Sequence, residues 1–412
     1  MSRYHLPDTR PLRNRAFSWL WLGNAISVLG GYIGLLAITL QIYRLTGSPL
    51  AVGLGGLFGG LPAVILFLFS GSLADRVDRR RLVLLGSSGQ LLICAALTLQ
   101  SAVHLDALWL LYAALSGQSL FGAINSPARK TFAPRLLPKD ELQAAAALQL
   151  ASTRLASLVG PLLGGALVAA WGLQAGYAAD GLSYLPAILA VALLPAMEPA
   201  GNRGRRNLEM ALEGLRYILK DRLLLSLWAA DLSMTLLTNP AALLPALDAT
   251  RFGGSPEILG ALMAAMAVGG LSLSLLSELL GRVSRVGFGV LASCGIAGLA
   301  AMLLGLATRI WLATTALALL GAADTALVIL RTALVQARTD DRYLGRVGAA
   351  DYLVGTIGPK FGDLRAGAMG SLISPAGSLL LGGVAALSAT LALGMGTRLR
   401  WEEQASSSGM EA

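Results

Sequence analysis

The chain has 412 residues, of which 55% are hydrophobic and 13% charged, where a soluble domain carries about 25% charged residues. Its net charge of +9 would suit nucleic acid in a soluble protein, but the cations sit in short loops between long apolar runs, so membrane topology replaces nucleic-acid binding as their explanation. The two cysteines, Cys94 and Cys294, lie inside apolar segments and exclude a disulfide framework; with only His5 and His104 beside them, no metal site is expected.

A membrane-spanning helix needs about 20 mostly apolar residues. Residues 1–15 form a polar tail with Arg3, Arg10, Arg13 and Arg15. The apolar stretch after it is too long for a signal peptide and lacks a cleavage site, so no signal peptide is expected. The first span covers about Ala16 to Tyr43 and the second about Leu50 to Leu73. The stretch Gly71 to Arg81, GSLADRVDRRR, then packs four arginines and two aspartates into eleven residues. The third span covers Leu82 to Val103, HLDA is an outside turn, and the fourth covers Leu108 to Ser126. Ser126 to Glu141, SPARKTFAPRLLPKDE, is a cationic loop rich in proline, and it precedes spans at Leu142 to Ala170 and Tyr177 to Leu194.

Residues 195–221 break the pattern. A polar linker leads into NLEMALEGLRYILKD, where Leu208, Leu212, Leu215, Ile218 and Leu219 recur at helical spacing. This is read as an amphipathic helix on the inner membrane face. Six more spans follow: Leu223 to Leu247, Ile258 to Leu280, Gly287 to Ala307, Ile310 to Val335, Val347 to Ile373 and Ala376 to Gly396. The expected organisation is therefore an all-α membrane protein of twelve transmembrane helices in two pseudo-symmetric six-helix bundles. Residues 1–194 form one bundle, 195–221 a cytoplasmic linker, 222–396 the second bundle and 397–412 a cytoplasmic tail.

With both termini cytoplasmic, inner segments hold 25 of the 32 Lys and Arg residues, outer loops 3 and spans 4. That asymmetry sets the expected orientation of a multi-pass protein. The second half weakly echoes the first: Ser274 to Arg285, SLLSELLGRVSR, also closes a second helix with an acid and two arginines, and Cys94 and Cys294 fall in equivalent helices. Such repeats are typical of transporters whose substrate sites lie near the midplane between the halves.

The run Gly71, Asp75, Arg76, Arg79, Arg80 resembles the major facilitator superfamily signature between the second and third helices. That signature normally has a second glycine where this chain has Asp78, which puts the turn of the loop in question. Gly160, Pro161, Gly164 and Gly165 resemble the glycine-proline motif that exporters of this superfamily carry in the fifth helix. SPARKTFAPRLLPKDELQAAAAL, EGLRYILKD and YLGRV look like the branch of siderophore exporters and macrolide efflux proteins, and Arg154 with Gly362-Asp363 looks more like its siderophore side. The resemblance implies a proton-driven antiporter working by alternating access in the bacterial cytoplasmic (inner) membrane. It also implies that Asp75 and the following arginines act as a cytoplasmic gate against the eleventh helix.

Charges within the hydrocarbon cost roughly 2.5–3.5 kcal/mol each on insertion scales. Eight stand in spans: Arg154, Asp231, Asp324, Arg331, Asp351, Lys360, Asp363 and Arg365, all but Arg154 in the second half. Lys360 with Asp363, and Asp324 with Arg331, are spaced to share a helix face and offer mutual neutralisation. Asp231 and Asp351 have no such neighbour, and an acid of that kind suits reversible proton binding. Asp231, Asp351, Asp324 and Asp363 are accordingly the candidates for proton coupling, and Arg154, Arg331, Lys360 and Arg365 those for substrate binding. Arg154 offers a fixed charge and a planar fork of donors to an anionic or oxygen-rich substrate, or to an acid on another helix. Asp180 and Glu278, near expected helix ends, read as solvated. Gly160 to Gly165 reads as a packing and hinge device, because proline kinks a helix and glycines let helices approach. Trp19, Trp21, Trp109 and Trp171 read as an interfacial belt.

An enzyme is not supported: there is no HExxH, no His-Cys or His-Asp cluster, and no GxSxG in a suitable context. A GxxxxGK[ST] run is also absent, which rejects ATP hydrolysis on this chain. A transporter-like sensor would keep the fold but have no need of the buried charges. The expected function is proton-coupled export of a siderophore, with multidrug or macrolide efflux as the alternative. Expected partners are the lipid bilayer, a small-molecule substrate and protons. A monomer is expected, with no cofactor and no nucleic acid.

Overall fold

The computed structural model describes residues 8–69, 78–194, 207–276 and 285–396, and within them the regular structure is helical throughout. The long helices, in chain order, are α1 Arg15–Thr46, α2 Pro49–Phe69, α3 Arg79–Ala102, α4 Leu108–Lys130, α5 Leu142–Trp171, α6 Leu173–Ala192, α7 Asn207–Lys220, α8 Arg222–Thr238, α9 Pro256–Leu275, α10 Val286–Leu306, α11 Ile310–Arg338, α12 Asp341–Leu372 and α13 Pro375–Gly396. Among the described residues, nine helices are long and apolar enough to cross a membrane. Gly71, Asp75, Arg76 and Glu278 lie outside the described residues.

The helices form two compact units. One comprises Met1–Thr46, Phe58–Arg206 and Ser255–Ala264; the other comprises Gly47–Leu57, Asn207–Gly254 and Ala265–Ala412. The start of α2 therefore packs with the second unit, and the start of α9 with the first.

In the first unit α1 lies along α6, and the sequence of α1 shows why. Gly23, Ser27, Gly30 and Gly34 fall on one stripe, and small residues at this spacing let two backbones meet. Gly23 faces the Pro186–Ala187 backbone, Gly30 faces Ser183, and Gly34 faces the carboxyl of Asp180. The Gly160–Gly165 segment of α5 presents two sides. Gly160 and Gly164 meet Leu29, Tyr32 and Ile33 of α1, while Gly165 meets Pro256 and Glu257 of α9. Gly172, at φ +80°, makes the left-handed junction from α5 into α6, which starts at Leu173.

Asp78 caps α3: its carboxylate accepts the Arg80 backbone N–H at 2.8 Å. An Asp N-cap contributes about 1 kcal/mol over a residue without a side-chain acceptor. The position where the superfamily signature carries glycine thus starts a helix here. Next to it, the Arg80 guanidinium donates to the Ala192 carbonyl at the end of α6.

The second unit is built around α8. Leu224, Leu227, Trp228 and Met234 pack against Val290 and Cys294 of α10, Leu327 and Leu330 of α11, and Val347 of α12. Helices α9 and α11 cross at backbone distance: an added Cβ at Gly269 would overlap the Ala318 carbonyl, and one at Gly321 the Met266 carbonyl. Gly269→Leu is therefore expected to lower stability by about 1–3 kcal/mol through overpacking. The thermal midpoint of the purified protein checks this against Gly295→Leu, where no neighbouring atom lies within 4 Å.

The amphipathic linker helix α7 is docked on α12. Gly214 meets the Arg346 backbone, Glu213 pairs with Arg346 at 2.9 Å, and Tyr217 stacks on Tyr343 with ring centroids 4.6 Å apart. Its apolar residues divide: Ile218 is buried in this contact, while Leu212, Leu215 and Leu219 are exposed.

The seventh span is not one helix. α8 ends at Thr238, Asn239 is extended, and short helical turns carry the chain from Ala241 to Phe252. Pro240 supplies the reason, since it has no N–H and disfavours helical geometry in the residue before it.

Candidate functional site

Three helices of the second unit bring charge together. On α8, Asp231 continues the buried stripe of Leu224, Leu227 and Trp228, where the period asks for an apolar side chain. On α12, Asp351 follows Val347 and Ala350 of the same core. Arg331 enters from α11 between Leu330 and Leu334. Its guanidinium meets both acids. Nη1 and Nη2 donate to the two Asp351 oxygens, the latter at 3.3 Å, and Nη1 is 3.6 Å from Asp231 Oδ2. The Arg331 and Asp231 side chains are 7% and 11% exposed, whereas that of Asp351 is 35% exposed. One cation thus serves two acids, one of them buried and the other partly exposed.

This arrangement differs from the pairing suggested by sequence spacing. Asp231 and Asp351 do have a cationic partner, and it is Arg331, which reaches across to two other helices. Asp324 is half-buried on α11, seven residues before it.

A second polar cluster forms where the seventh span breaks. Asn239 Nδ2 donates to Asp363 Oδ1 and to the Pro359 carbonyl, each at 3.0 Å, and Asn239 Oδ1 accepts the Ala241 N–H at 3.1 Å. Asp363 is buried, and Gly53 and Gly56 of α2 pack directly against it. Its side-chain hydrogen bond is to an amide, and Lys360, half-buried one turn away on α12, lies within electrostatic reach of it, as their spacing suggests. Broken helices with exposed amides and carbonyls line the binding sites of many transporters. The sequence reading missed Asn239, although the Asn-Pro pair carries the signal.

Arg365 is occupied structurally. Its Nη2 donates to the Leu237 carbonyl at 2.8 Å and its Nη1 contacts the Met369 sulfur at 3.5 Å, tying α12 to the end of α8. Arg154, in the first unit, is half-buried and lies within electrostatic reach of the Tyr32 phenol. Asp180 is buried at 6% exposure, in contrast to the solvated role expected from its place in the sequence. Of the tryptophans, Trp19, Trp109 and Trp171 are exposed, while Trp21 donates to the Leu148 carbonyl at 3.2 Å.

Similarity to known proteins matches this architecture. A family model described as transmembrane secretion effector matches residues 8–411. The chain is 27% identical over 372 residues to the enterobactin exporter EntS of Escherichia coli O1:K1 / APEC, covering 88% of this chain and 87% of that protein. It is equally similar to the EntS of Shigella boydii serotype 18. Among solved structures, a POT family transporter in complex with 5-aminolevulinic acid superposes with a TM-score of 0.75 at 11% identity, covering 93% of this chain and 96% of that one. The nucleoside transporter NupG superposes with a TM-score of 0.74 at 12% identity, covering 92% and 99%.

Proposed function

Because the chain belongs to the transmembrane secretion effector family of the major facilitator superfamily, it is a multi-pass membrane transporter, and we propose that it exports a siderophore across the bacterial inner membrane in exchange for protons. The observation that carries the coupling is the Asp231–Arg331–Asp351 cluster. With both acids ionised the cluster has one negative charge in excess, and a single proton neutralises it. Asp351 is the more exposed acid, and Asp231 holds the buried place. Arg331 sits within reach of both and leaves either acid when the other gains charge. The expected direction, substrate out and protons in, follows the exporters that this chain resembles.

The substrate class rests on the similarity to enterobactin exporters and on Arg154. A permanent cation, half-buried within the first unit, suits a catecholate or carboxylate ligand.

The test is a deletion strain grown under iron starvation. Extracellular siderophore is expected to fall and the intracellular pool to rise, with both restored by the wild-type gene but not by Arg154→Ala. Normal secretion together with altered macrolide susceptibility would replace the siderophore reading by drug efflux.

A further inference from the structure

The interior of the first unit contains a second buried acid, on elements separate from the Arg331 cluster. Asp180 sits on α6 facing Gly34 of α1, whose missing side chain makes room for the carboxyl. The thiol of Cys94 on α3 meets Asp180 Oδ2 at 3.3 Å. Asp180 Oδ1 is buried with no hydrogen-bond partner among the described residues, and no described cation pairs with the group.

The elements packed around Asp180 present few groups that can change charge. From α3 the facing group is Cys94. From α1 it is Gly30 and Gly34, which carry no side chain. From α5, Val168 meets α6 at Gly176. On α6 itself, Tyr177 donates to Gln41 Oε1 at 2.6 Å, and Tyr184 lies within electrostatic reach of both Asp180 and Arg129.

Polar contacts lead away from this acid in two sets that meet at Gln90, one at its backbone carbonyl and the other at its side-chain amide. Cys94 Sγ is met by Gln118 Nε2 at 3.0 Å, and the same Nε2 reaches the Gln90 carbonyl at 3.4 Å. Gln90 Oε1 is 3.5 Å from Asn125 Nδ2, and Asn125 Oδ1 accepts from Arg129 Nε at 2.7 Å. Arg129 stands in the last turn of α4, next to the cationic loop. Its other contacts are Asn24, Ser27 and Ser87, all neutral.

We propose that Asp180 is a reversible proton-binding site within the first unit, connected through Cys94, Gln118, Gln90 and Asn125 to the Arg129 end of α4. A carboxylate held in an apolar bundle without a cation is costly, and taking up a proton removes that cost. The free Oδ1 is the atom that receives the proton: an O–H bond forms there, and the carboxylate becomes a neutral acid. Arg129 holds a fixed positive charge at the far end of the series, on the Asn125 side. The site is independent of the siderophore reading, because the binding of a proton here needs neither substrate nor the Arg331 cluster.

The test is infrared difference spectroscopy of the full-length protein in lipid vesicles, without substrate, as pH is stepped. A protonated-carboxyl C=O band that grows on acidification is expected in the wild type. Asp180→Asn should lose this band. Cys94→Ala keeps the acid but removes the thiol at Oδ2, so it should shift the band in frequency; that variant decides the matter alone if the Asn protein does not fold. A wild-type band that fails to respond to pH would overturn the proposal. So would a titrating band unchanged in Asp180→Asn, or one unshifted in Cys94→Ala.

Discussion

Asp231→Asn is expected to reduce pH-gradient-driven substrate uptake into inside-out vesicles to the level of vesicles lacking the protein, while the variant still reaches the membrane in normal amount. The substitution keeps the shape of the side chain and an oxygen 3.6 Å from Arg331 Nη1. It removes the exchangeable proton. Arg331 then faces one acid, Asp351, and the remaining pair is neutral without any proton. The fold is thus preserved and the proton step is lost. Substrate exchange with no gradient imposed should continue, since that process moves no net proton. Gradient-driven uptake at the wild-type rate would remove Asp231 from the coupling role. The same substitution at Asp351 separates the more exposed acid from the buried one: a defect limited to Asp351→Asn would place the whole proton step there.

Arg331→Met is expected to have the largest effect on stability. It leaves two acids in a low-dielectric core without their shared cation. Removing one partner from a buried ion pair typically costs about 3–5 kcal/mol, because the remaining charge has nowhere to go. Asp351, being 35% exposed, recovers part of its hydration, so most of the loss falls on Asp231. The measurement is the thermal midpoint of the detergent-purified protein together with its abundance in membranes. Combining Arg331→Met with Asp231→Asn and Asp351→Asn should restore most of the lost stability, as the three changes remove the charges together. A triple variant no more stable than Arg331→Met would show that Arg331 supports the core through packing instead.

The spans were legible because a membrane forces apolar runs of a set length between charged loops, and those runs survive local irregularity. Positions that depend on three-dimensional meeting were less so. Arg331 shares a face with Asp324 by spacing, yet its donors go to Asp351 and Asp231 on other helices, a contact no local period encodes. Asn239–Pro240 was written in the chain, but the apolar residues on either side average into one hydrophobic stretch. Asp180 read as terminal because its helix was expected to begin at Tyr177, whereas Gly172 starts it at Leu173 and carries Asp180 inward. Asp78 stood against the superfamily signature as a misplaced acid. In the structure its carboxylate replaces the backbone freedom of glycine with a cap at the start of α3.

The two native thiols bear on how the protein can be instrumented. Cys94 and Cys294 are 0% and 1% exposed, so maleimide and spin-label reagents do not reach them in this conformation. Single cysteines can be introduced at lipid- or water-facing positions for distance measurements without first stripping the native pair. The customary cysteine-free background would here carry a hidden cost, because it deletes the sulfur that contacts Asp180 and alters the region whose motion such probes are meant to follow. Reactivity appearing at either native thiol serves instead as an internal indicator that a variant has lost its packing.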